Sequence, residues 1–127
     1  MTNNDISKRI NSLNNEDFIW IIYIGIIILS YIANYEERKY FLNKDNNAKD
    51  NYRKIMIFIF TVLVIVYLYF LKDSIDSVKS MKPNASDKEK LLNYMALIAS
   101  ILIIIAGIIY LYIAINDKDI NVELAFN

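Results

Sequence analysis

Charged residues are missing from three stretches of this chain: 18–35, 55–71 and 91–116, of 18, 17 and 26 residues. Polar and charged positions crowd into the segments between them. In 55–71 only Thr61, Tyr67 and Tyr69 carry polar side-chain atoms, and no face of the segment is polar. A helix in a soluble bundle keeps one apolar stripe and one polar face. These segments are apolar all round. At about 1.5 Å per residue even the shortest covers roughly 25 Å. That is close to the roughly 30 Å of a bilayer's hydrocarbon core. Lys54 and Lys72 flank it and can reach outward to the headgroups.

Isoleucine and valine dominate these runs, so strands have to be weighed. A membrane barrel alternates apolar and polar positions and needs about eight strands or more. Here the runs do not alternate. In hydrocarbon each segment must satisfy its own backbone groups, which selects the helix. The pattern predicts an all-α integral membrane protein. Three transmembrane helices form a small up-down-up bundle with helical extensions beyond the bilayer. The expected spans lie near 17–35, 55–72 and 92–115 in a single membrane domain. Residues 1–15, 36–54, 73–90 and 116–127 are the polar remainder. Trp20, Tyr23, Tyr31, Tyr35, Tyr67, Tyr69, Tyr94, Tyr110 and Tyr112 lie towards the span ends, where amphipathic rings favour the headgroup level.

Local signals refine the boundaries. Ile6, Ile10 and Leu13 follow helical spacing, which predicts a short amphipathic surface helix. Asn14 and Asn15 would then cap the first long helix. The cluster Asn43-Lys44-Asp45-Asn46-Asn47 predicts the first reversal, with the second helix starting near Ala48. Leu71, Ile75 and Val78 carry that helix past its span until Pro83 stops it. Ser86-Asp87-Lys88-Glu89 has the form of a capping box and starts the third helix at Asp87. Lys8 and Arg9 precede the first run without a small-residue cleavage site after it, so that span is expected to be retained.

Small residues predict how the helices pack. Asn93, Ala96, Ser100, Ile103, Gly107, Tyr110 and Ala114 follow steps of 3 and 4 along the third helix. Tyr23, Ile27, Ser30 and Asn34 form a comparable line on the first. Small seams let backbones approach in lipid, where no hydrophobic drive joins helices. The expected packing seam is therefore Ala96, Ser100, Gly107 and Ala114, with Ser30 and Asn34 opposite. Helices one and three should be closest, leaving helix two to show more surface to lipid.

Composition narrows the chemistry. Lysine plus arginine and aspartate plus glutamate each total 14, and histidine and cysteine are absent. That excludes disulfides, thiolate nucleophiles, imidazole bases and a globally basic nucleic-acid binder. The runs hold no carboxylate or lysine to mark an ion path. Asp73 and Asp76, and Asp117, Asp119 and Glu123, read as solvated surface, because no calcium-hand spacing is present. Asn84-Ala85-Ser86 matches a glycosylation triplet, but Ser86 reads first as a helix cap.

No enzymatic activity, cofactor or metal is expected. The partners are the lipid bilayer and a membrane protein or a second copy of the chain. The expected role is a small membrane subunit, assembly factor or regulator working through helix contacts. The alternative is a homo-oligomeric, holin-like pore. A paired-copy transporter is a third reading. Basic residues divide seven and seven between the two sides, and the flank after helix one is the more basic. The expected orientation is N-terminus out, C-terminus in.

Overall fold

The structure is a computed structural model that describes residues 2–124. Those residues form three helices and no strand: α1 (Asn3–Asn43), α2 (Asn46–Lys79) and α3 (Asp87–Asn116). Each is long and apolar enough to cross a membrane. They fall into two compact units, Met1–Tyr52 and Arg53–Asn127, divided within α2.

The first unit holds α1 and the opening of α2. The separate amphipathic helix predicted for Ile6, Ile10 and Leu13 does not exist. α1 runs unbroken from Asn3, capped by Thr2, whose hydroxyl accepts from the Asp5 N–H at 3.2 Å. Asn14 and Asn15 are interior helix residues. Residues of modest helix propensity cost only a few tenths of a kcal/mol each, too little to break a helix that elongates cooperatively.

α1 ends where Lys44 adopts the left-handed conformation, with φ 51°. Asp45 then starts α2 at once. Its carboxylate accepts from the N–H groups of Asn47 (2.9 Å) and Ala48 (3.2 Å) and pairs with Lys39 at 3.6 Å. Lys49 lies over the Tyr40 ring at 5.5 Å, and Asn51 donates to Glu36 at 3.4 Å. The helix ends beside this two-residue turn are thereby joined by side chains.

The Ala48 N–H and its neighbours hold the Asp45 carboxyl below the usual carboxylate range. A depressed native pKa stabilises the fold above the unfolded-state value and is lost as pH falls through the native one. The protection of the Asn47 and Ala48 amides from hydrogen exchange should therefore drop below the ordinary carboxylate range. In Asp45→Ala that protection should be low at every pH. Equal acid sensitivity in the variant would remove Asp45 as the cause.

In the second unit, Pro83 follows the end of α2 and lies in a short turn with Asn84. Ser86 caps α3, its hydroxyl accepting from the Glu89 N–H at 3.1 Å, as the sequence predicts. α2 and α3 run antiparallel. Arg53 Nη2 donates to the Ile115 carbonyl at 3.0 Å at one end, and Asn93 Nδ2 meets Met81 Sδ at 3.6 Å at the other.

Candidate helix-packing site

Three levels of contact join α2 to α3. Phe60 stacks on Tyr110, with ring centroids 5.4 Å apart at 25°. Tyr67 lies over Gly107: a Cβ there would sit 2.9 Å from Tyr67 Cδ2, 3.1 Å from Cε2 and 3.5 Å from Val64 Cγ2. Ser74 and Ser100 share a hydrogen bond of 2.7 Å between their hydroxyls. The Ser100 hydroxyl donates to the Ala96 carbonyl at 2.9 Å, which leaves Ser74 to donate in the shared bond.

Gly107 is thus the notch and Tyr67 the knob. Glycine is required by the space, since its backbone is ordinary helix. Gly25 is different: nothing lies within 4 Å of a Cβ placed there.

Beside the notch opens an apolar recess of about 170 Å³, lined by Phe60, Tyr67, Ile103, Ala106, Gly107 and Tyr110. Ile103 and Ala106 are exposed, so the recess is open at the surface of the α2–α3 pair. Arg53 closes the end of α3. Its guanidinium pairs with one of the last carbonyls of that helix, where a cation is favoured by the helix dipole. Arg53 Nε is buried and has no acceptor among the described residues.

The expected seam is partly redrawn. Ser100, Gly107 and Ala114 face inward, with Gly107 and Ala114 buried. Ala96 is exposed, and the inward line passes instead through Leu97, Ile104 and Leu111. Both the +3 and +4 neighbours flank a seam residue. Residue size favoured Ala96, but packing against large side chains needs filling as well as space. On α1, Ile19 and Ala33 are buried and Tyr23, Ile26 and Ser30 half-buried. Ile27 is exposed, Asn34 is half-buried, and the Ser30 hydroxyl donates to the Ile26 carbonyl of its own helix at 2.8 Å.

α2 overturns a larger expectation. It was expected to be the most lipid-exposed helix and is the most buried. Of its most apolar 18 residues 28% are buried, against 11% in α1 and 17% in α3. Tyr52, Met56, Ile59, Phe60, Leu63 and Val66 are all inside. Within residues 54–71 exposure is confined to a narrow stripe through Lys54, Phe58, Thr61, Ile65 and Leu68. Bulky α2 residues are the complement that the small residues of α3 accept.

Asp117 has a structural task. Its carboxylate accepts from the N–H groups of Asn121 (3.0 Å) and Val122 (2.7 Å) and folds the tail back against the end of α3. The Asn121 bond, aided by that from Val122, holds its carboxyl below the usual range. Among the described residues no group of three carboxylates converges.

Comparison with protein-family models, curated proteins and solved structures finds no match to this chain.

Proposed function

We propose that this chain is an integral membrane protein whose three helices span the bilayer as an up-down-up bundle. It works without catalytic machinery, as a small membrane subunit, assembly factor or regulator, through helix contacts. The N-terminus lies outside and the C-terminus inside, with the more basic flank of helix one on the inner side. One observation carries the reading: α3 exposes large apolar residues along its whole charge-free run. Ile98, Leu102, Ile105 and Ile109 point outward at 48–60% exposure, while its buried residues are Ile104, Gly107 and Ala114. An apolar surface of that extent is the arrangement expected when the solvent is lipid.

The absence of charge across 55–71 and 91–116 supports a role in contact and not in conduction, because an aqueous path needs a polar face. The recess at Gly107 has the size of a side chain and offers a partner helix a place to insert. The test uses a tagged chain in bacterial membranes with a potential-sensitive dye. The expected result is a chain that resists alkaline carbonate extraction and leaves the membrane potential intact. A discrete membrane protein should also co-purify in mild detergent. Its recovery should fall when Ala106→Trp fills the recess. Collapse of the potential on expression would replace this reading with the pore. Release by carbonate would remove the membrane reading altogether.

A further inference from the structure

The packing of α2 against α3 fixes their relative height, and their apolar lengths do not agree. The charge-free run of α2 is 17 residues and that of α3 is 26. At one end they match. Arg53, just before the α2 run, bonds to Ile115, just inside the end of the α3 run. All of the difference therefore falls at the other end. There Ser74 meets Ser100 and Met81 meets Asn93.

By the Ser74–Ser100 pairing, Lys72, Asp73, Asp76 and Lys79 of α2 lie beside residues 95–102 of α3. All four are exposed. Across that height α3 presents Met95, Ile98 and Leu102, and beyond it Leu91 and Leu92, each more than half exposed. The charge-free run of α3 extends past that of α2 by about ten residues, or roughly 15 Å. Lysines can snorkel across part of that distance. The short carboxylates of Asp73 and Asp76 cannot, and they are costly in hydrocarbon. Tilting the pair as one body offsets only about 3 Å of that distance, because packed helix axes lie about 8–10 Å apart and tilt by about 20°.

We infer that one leaflet meets the α2–α3 pair at two heights: headgroups and water reach down to Lys72 on the α2 flank, while acyl chains rise to about Leu91 on the α3 flank. The occupant of the α3 overhang is lipid. Its exposed face is continuous with Leu102, Ile105 and Ile109, the face already assigned to the bilayer. The α3 overhang carries no charge until Lys90, and Tyr94 lies one turn inside it as a headgroup-level anchor. A protein with such a step bends or thickens the bilayer around itself. It would favour long-chain lipid on one flank only.

This inference rests on the membrane reading, and the experiment separates the two. The chain has no cysteine, so single nitroxide labels can be placed at will. Ser77→Cys and Ile98→Cys lie at nearly the same height on the two flanks. Ile109→Cys reports the middle of the span. Each labelled protein is reconstituted in phosphatidylcholine vesicles and probed with oxygen, which concentrates in hydrocarbon, and with a water-soluble nickel chelate.

The expected result is oxygen-dominated relaxation at Ile98, as at Ile109, and chelate-dominated relaxation at Ser77, because the hydrocarbon core holds no water. Chelate access at both Ser77 and Ile98 would overturn the inference by putting the overhang in water. Oxygen dominance at both would overturn it by sinking the α2 charges. Shielding of Ile98 from both probes, with spin–spin broadening, would overturn it in favour of a second copy covering α3. Chelate access at Ile109 would instead defeat the membrane reading itself.

Discussion

Gly107→Leu should separate α2 from α3. An added Cβ meets the Tyr67 ring at 2.9 Å, closer than such atoms normally approach, and leucine adds three further carbons in the same direction. Overpacking a tight contact costs about 1–3 kcal/mol and sometimes more. The upper end applies here, because Tyr67 is itself held between the helices and Val64 closes the second side of the notch at 3.5 Å. The readout is a disulfide between Ser74→Cys and Ser100→Cys, whose parent hydroxyls lie 2.7 Å apart. The parent background should cross-link efficiently, and the Gly107→Leu background should not. Gly25→Leu is the matched control: with open space around Gly25, cross-linking should be unchanged. If Gly107→Leu cross-links as well as the parent, the notch does not exist.

Phe60→Ala should be the second most damaging change. Phe60 is fully buried and stacks on Tyr110. In water such a truncation loses both transfer free energy and packing. In lipid the transfer part largely vanishes, since hydrocarbon is as apolar as the site. What remains is the cavity. Removing a ring of roughly 100 Å³ at about 24 cal/mol per Å³ gives about 2 kcal/mol. Loss of the aromatic stack adds about 1 kcal/mol. Unfolding by sodium dodecyl sulfate in mixed micelles measures the sum. Phe58→Ala is the control, because Phe58 lies on the exposed stripe of α2. Equal losses at 58 and 60 would contradict the burial of α2. A loss at Phe60 well above 3 kcal/mol would point to an aqueous and not a lipid reference state.

Some features followed from local chemistry. The three runs are uncharged and apolar, and each lies within one helix of the structure. The reversal at Lys44-Asp45 and the start of α3 at Ser86 were legible because caps act through backbone groups a few residues away. Local reading failed at Asn14 and Asn15. Both are ordinary cap residues, yet a helix already nucleated at Thr2 runs through them. The first turns of α1 also expose Ile6, Ile10 and Leu13 at 43–51%, so the amphipathic spacing was real although the separate helix was not.

The packing partners lay beyond local reading. Small residues mark a surface that can be approached, but they do not say by what. Gly107 and Ser100 announced a seam; that Tyr67 and Ser74 of α2 meet it depends on two helices being set at one height. α2, the helix expected to show most surface to lipid, is the most buried of the three.

The chain's own order of residues determined that it forms three long helices, each with a charge-free run, where they turn, and that histidine, cysteine and any carboxylate within those runs are absent. Those properties are set by residues within a few positions of one another, or by their absence. Only the tertiary structure decided which helix is buried, which of two adjacent lines on α3 is the seam, and where the longer run overshoots the shorter. Each depends on complementary shapes and relative height between residues far apart in the chain, and no local pattern encodes the height at which two helices lock.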